Sequence, residues 1–471
     1  MAARWSEVPN NLLEDIFQRL FLKDHLGFSS VCSSWRSACV ENRYLPSRRY
    51  VGLLVPGKTA DSETRRLLEP VQGEYNNNNS PINVPVPHRY YCCGSSFGWL
   101  VLINDDLDMQ FFNPISGAKL QLPSANTLVS PSASWGLKRF GKHYVTKAFL
   151  SCDPSSLTSR AMVLVIYGGY NLAFSIPGDK SWRVIATGEH GSGPDVREYS
   201  DAIFHKKKFY VVYNSAPPPG GVVTCDLSDI ENPIVADYAP PPRCEIFHMT
   251  RYLVEANGDL FQLRRQFQYD LNPHSDLDSD CDDYHCDGYE VNNKDEVREG
   301  DDSDDDRDEV NQKDGVREGD DIDEVKQTND EDREGDENDN DRDEVEGDES
   351  ESEEDIKESC RRYRTSRFKV YKLIECNGCD TRRWEKVKSI GDNAFFVGYN
   401  SSFSLSTTDY LGCKPNSIYF TDCRTPYTDS LEPIRHDVGI FNLEDKSIQD
   451  IYPLDSKPVR PPAFWFTPIP W

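Results

Sequence analysis

The chain has 471 residues, with 80 Asp/Glu against 52 Lys/Arg and a formal net charge of −28. Residues 276–355 alone hold 40 acidic and 8 basic side chains, a net of −32, so everything else sums to +4. The part able to fold is nearly neutral, and no basic stripe with interleaved aromatics offers nucleic acid an electrostatic footprint.

The longest apolar run, near 161–167, falls far short of the ~20 residues that cross a bilayer. Residues 1–7 lack the apolar core of a signal peptide. The fourteen cysteines are expected as reduced thiols rather than a disulfide framework. A soluble intracellular protein is expected.

In chain order, Leu12, Leu13, Ile16, Phe17 and Leu20 recur at the spacing of one apolar stripe on an α-helix. Pro9 sits at its first turn, where a missing N–H costs nothing. Asp24 caps a second short helix bearing Leu26 and Phe28, and a third carries Val31, Trp35, Ala38 and Val40. These forty residues offer more apolar surface than so small a unit buries by itself.

From about 50 to 270, and again from about 366 to 471, the pattern changes to short strands. Strands are expected at 99–103, 109–112 and 119–122, the last two joined by a turn through Asn113, Pro114 and Gly117. The same grammar returns at 208–213, 222–226 and 233–237, and at 252–255 and 259–263 around Asn257-Gly258. It returns once more at 416–421, 439–443 and 447–451. Two further hairpins, 174–176 to 182–185 and 368–374 to 384–387, share a tryptophan just after the turn. Recurrence at roughly 40–50 residues points to blades around an axis, and a propeller leaves only short, protected edges. A single sandwich would be oversized; five, six or seven blades all remain open.

Between the two β blocks lies the acidic tract. Its segment from Lys294 to Asp302 returns nineteen residues later from Lys313 to Asp321, and Asp-Glu-Val starts at 295, 308, 323 and 343. With almost no apolar residues it cannot offset the ~1–2 kcal/mol per residue of backbone ordering, so a disordered insert is expected.

Among sequence motifs for catalysis, His-Glu-x-x-His does not occur. The glycine-rich 188–193 has no strand–helix context. Cys376 and Cys379 lack the second pair a structural zinc needs, and Asn377-Gly378 between them reads as a hairpin turn. Asp276, Asp278 and Asp280 begin like a calcium loop, but Cys281 stands where glycine is required. Cys281, His285 and Cys286 make only a weak metal set. Of Cys92 and Cys93, one thiol is expected to face the core. No catalytic residue, metal or cofactor is assigned.

The pattern Val8-Pro9, Leu12-Leu13, Ile16, Leu20, Asp24, Val31-Cys32, Trp35-Arg36 resembles an F-box, with Val8 where the family usually has leucine. The remainder resembles the plant F-box proteins with a KIB-type β-propeller. The matching stretches are 94–102 (GSSFGWLVL), 113–117 (NPISG), 120–123, 177–182, 251–255, 391–396, 400–406, 412–416, 439–445 and 465–468. The expected architecture is mainly β: an F-box at 3–45, a propeller in two parts at 50–270 and 366–471, and an insert at 275–360 that family membership does not explain.

The resemblance implies the substrate-recognition subunit of an SCF-type E3 ubiquitin ligase, itself non-catalytic. Pro9, Leu12, Leu13, Ile16 and Leu20 would bind a Skp-type adaptor and through it a cullin, while Val31 and Trp35 form the F-box core. The propeller would hold an unknown protein substrate, in the nucleus, the cytoplasm or both, with neither nucleic acid nor membrane as partner. A propeller scaffold outside ubiquitination, or a small-molecule enzyme with a polar pocket on the axis, are the alternatives.

Overall fold

The computed structural model describes residues 5–17, 20, 27–42, 51–57, 59, 61–68, 82–129, 135–156, 160–169, 171–185, 197–214, 219–242, 250–269, 363–376, 381–410, 412–422, 437–451 and 462–468. The acidic tract, with Cys281, His285 and Cys286, lies outside them. So do residues 188–193, Asp24, Leu26 and Cys379.

The N-terminal region is helical. Helix α1 spans Asn10–Phe17 and α2 spans Ser33–Asn42, with helical residues 27–29 between them. The Pro9 carbonyl accepts the N–H groups of Leu12 and Leu13 at 3.0 and 3.1 Å, so Pro9 stands just outside α1, where a proline fits. Leu13, Phe17, Phe28, Ala38 and Cys39 form a small core, with Val8, Leu20 and Trp35 packed at its margin.

The rest is a six-bladed β-propeller. The first blade begins with β1 (Gly52–Val55), β2 (Arg65–Leu68) and β3 (Ile82–Val84). The second is β4 (Tyr91–Ser96), β5 (Trp99–Ile103), β6 (Met109–Phe112) and β7 (Lys119–Gln121). The third is β8 (Val145–Leu150), β9 (Val163–Tyr167), β10 (Asn171–Ser175) and β11 (Arg183–Ile185). The fourth is β12 (Tyr199–His205), β13 (Lys208–Tyr213), β14 (Val222–Asp226) and β15 (Ile234–Ala239). The fifth is β16 (Thr250–Ala256), β17 (Asp259–Tyr269), β18 (Tyr363–Glu375) and β19 (Arg382–Val387). The sixth has five strands in the order β21 (Phe403–Ser406), β20 (Asn393–Val397), β22 (Ser417–Phe420), β23 (Gly439–Asn442) and β24 (Ile448–Asp450), with β20 and β22 parallel.

Strand β25 (Phe464–Phe466) closes the ring by pairing antiparallel with β1, Gly52 opposite Phe466. Its side chains alternate, as any strand's must. Phe464 and Phe466 enter the core shared with the second blade, while Trp465 enters the core shared with the sixth, edge-on to Phe396 and Tyr419. Three residues thus knit two blade seams.

Two sequence signals acquire a physical meaning. The tryptophans that follow hairpin turns are blade ties: Trp182 donates its indole N–H to Pro123 O at 3.0 Å, and Trp384 donates to Pro240 O at 2.8 Å, each in the chain that leaves the preceding blade. The Asn113 turn recurs in the sixth blade. In both, the asparagine side chain accepts a downstream N–H, and a residue with positive φ (Gly117 at 74°, Lys446 at 63°) completes the reversal. The acidic tract joins β17 to β18, which pair as far as Tyr269 opposite Tyr363. It therefore grows out of one hairpin inside the fifth blade.

Neighbouring blades are bonded to one another through their inner strands. Tyr91, at the start of β4, donates to Thr146 O near the start of β8, and Ser200 in β12 donates to Arg251 O in β16. They also approach closely: a Cβ on Gly94 would lie 2.3 Å from the Ala148 carbonyl oxygen. Gly94→Ala should therefore cost about 1–3 kcal/mol, the usual penalty of overpacking, read as a lowered denaturant midpoint at constant slope.

Candidate functional site

Helix α1 carries two apolar rows. Leu13 and Phe17, four apart, face inward and are 0% and 5% exposed. Leu12 and Ile16, also four apart, face outward at 48% and 37%. Pro9, on the N-terminal side, is exposed as well. Of the eight large apolar side chains exposed among the described residues, four (Trp5, Leu12, Ile16 and Val31) fall within the first 42 residues. Such concentration marks an interaction surface, whereas isolated exposed leucines do not.

Two expected roles are corrected. Leu13 belongs to the helical core and is not available to a partner, because α1 turns it onto Phe28, Ala38 and Cys39. Val31 is 51% exposed and so is not core. It sits in the turn before α2, its N–H donated to Phe28 O, and the Phe28 ring fills the space. Leu20 is half-buried at the margin of that core. Trp35 packs on Phe28 with ring centroids 4.3 Å apart, and its indole N–H donates to Trp5 O at 2.9 Å. Trp5, which sequence reasoning passed over, is thereby tied by its backbone, and its ring, edge-on to Trp35 with centroids 6.4 Å apart, keeps most of its surface in solvent. Burial pushes the Cys39 thiol up to about 12, which leaves it unreactive.

The propeller axis is polar, but its own chain fills it. The segment from Asn400 to Ser404 crosses it and bonds to all five other blades. Asn400 donates to Ser95 and to Trp465 O; Ser401 donates to Ala148 O; Ser402 donates to Asp201; Ser404 donates to Glu255 O. Asp201 is the hub. Its carboxylate meets the Lys147 ammonium at 2.9 Å and accepts from Ser402 at 2.7 Å and from the Leu253 N–H at 3.0 Å. Burial raises its pKa, against the pull of Lys147 and the Ser402 hydroxyl. Every strong bond of this carboxylate is spent within the fold.

Elsewhere the chemistry is structural. Cys92 and Cys93 are both buried, where one inward thiol was expected, because adjacent residues of a strand point to opposite faces and both faces of β4 are blade seams. Burial raises both thiols. Cys376 is exposed. His88 uses Nε2 to accept the Gly57 N–H at 2.8 Å. Among the described residues no three His, Cys, Asp or Glu side chains converge as metal ligands, and no helix is long and apolar enough to cross a membrane.

The profile of the KIB1-4 β-propeller family matches residues 73–442, and that of the F-box domain matches residues 5–45. The chain belongs to the KIB1-4 β-propeller family. Among curated relatives, the F-box protein SKIP23 of Arabidopsis thaliana is 21% identical over 495 residues, covering 99% of this chain and 95% of that protein. The Arabidopsis F-box protein At2g17690 is 39% identical over 85 residues, 18% of this chain and 17% of its own length. The Arabidopsis F-box protein At2g26160 is 44% identical over 62 residues, 13% of this chain and 18% of its own length. The match therefore spans under a fifth of either of the latter two proteins.

Proposed function

We propose that this F-box protein is the substrate-recognition subunit of an SCF-type E3 ubiquitin ligase. Its helical region docks a Skp-type adaptor, and through it a cullin, while its propeller holds a client protein. The carrying observation is the pair Leu12 and Ile16, exposed on a helix whose neighbouring row, Leu13 and Phe17, is sealed. Fully burying such side chains contributes roughly 1.5–3 kcal/mol each, and Pro9 and Trp5 extend the surface.

On this reading the chain is not itself an enzyme. It supplies proximity, bringing a client to a ubiquitin-charged partner, and it works in the nucleus, the cytoplasm or both. Full-length protein purified from cells under proteasome inhibition should carry a Skp-type adaptor and a cullin with it. Adaptor without cullin would point to a scaffold outside ubiquitination, and the absence of both would overturn the reading.

A further inference from the structure

Two buried arginines in the propeller are treated in opposite ways. Arg265, on β17, is surrounded: Asp437 at 2.9 Å, Thr365 Oγ1, the Tyr252 hydroxyl and Thr421 O all take its protons. Arg65, on β2, is 1% exposed and has no carboxylate partner among the described residues. Its Nη2 donates to the Tyr90 carbonyl at 2.7 Å, its guanidinium lies 5.5 Å from the centroid of the Phe464 ring, and its Nε donates to no acceptor among the described residues.

A guanidinium has five N–H donors, and one carbonyl with one ring face leaves most of them without a role. Burial lowers the Arg65 pKa only to about 10, so the side chain remains a cation at neutral pH. The titratable groups that act on it are Cys92 and Tyr399. Burial pushes the Cys92 thiol up to about 12, so it brings no negative charge at pH 7. An isolated buried charge costs several kcal/mol unless it is paired.

We propose that Arg65 anchors a buried site for a small monovalent inorganic anion at the seam between the first two blades. The position gives the site a consequence. Arg65 stands on the blade that the two ends of the propeller chain build together, and its ring partner Phe464 belongs to the closing strand β25. Anion binding thus stabilises the closed ring and makes propeller stability depend on halide concentration.

The test uses the full chain and bromide as probe, titrated at constant ionic strength against sodium gluconate, whose anion is a bulky organic carboxylate. The thermal midpoint of the wild type should rise with bromide and then saturate, as mass action requires for a ligand that binds only the folded state. Arg65→Met, which removes the cation at similar volume, should match or exceed the wild type without bromide and show no saturating rise. Crystals grown in bromide should give an anomalous peak within hydrogen-bond distance of the Arg65 guanidinium. A flat wild-type titration, an equal rise in Arg65→Met, or a crystal showing only water on Arg65 would overturn the site.

Discussion

Asp201→Ala should destabilise the propeller by about 3–5 kcal/mol, the range seen when one partner of a buried ion pair is removed. The substitution leaves the Lys147 ammonium buried, with only the Tyr252 ring, 5.0 Å from its Nζ, for compensation. It also strips the acceptor from the Ser402 hydroxyl and the Leu253 N–H. Because the second to sixth blades meet in this network, the loss should appear as a lower midpoint of the whole propeller transition rather than as local fraying. Asp201→Asn keeps acceptors for Ser402 and Leu253 but discards the charge, so it should fall between wild type and alanine. An alanine variant within about 1 kcal/mol of wild type, measured by denaturant unfolding, would show that the axis is held by backbone pairing alone.

The turns of this fold were legible and its closure was not. Strands β13 and β14 begin and end where the sequence places them, because Pro/Gly-rich segments and a clean apolar run mark both ends. The recurrent tryptophans were visible, but not that each reaches a proline carbonyl in the preceding blade. Nothing in three apolar residues at 464–466 announces pairing with Gly52–Val55 some four hundred residues earlier, since local pattern carries no register. The same distance hides the Asp201 hub, whose partners lie 54, 52 and 201 residues away. In α1, periodicity identified the apolar residues but merged two rows into one stripe. Leu12 and Leu13 are neighbours in sequence, roughly 100° apart around the helix. A core of five buried residues covers one of those rows and leaves the other outside.

That division yields the sharpest functional test. Leu12→Asp combined with Ile16→Asp should leave helix content and thermal midpoint near wild type, because both side chains already meet solvent. Adaptor affinity should nevertheless fall at least ~100-fold. Two apolar contacts worth ~1.5–3 kcal/mol each are replaced by carboxylates that must be desolvated, and each 1.4 kcal/mol is a factor of ten. Leu13→Asp should fail differently. A carboxylate driven among Phe17, Phe28, Ala38 and Cys39 costs more than a forty-residue helical unit can bear, so helix signal and binding should vanish together. Calorimetric titration of purified adaptor, read beside circular dichroism, separates the two failures. Unchanged affinity in the folded double variant would place the adaptor surface elsewhere, with Trp5 and Val31 the other large apolar side chains exposed among the described residues of the helical region.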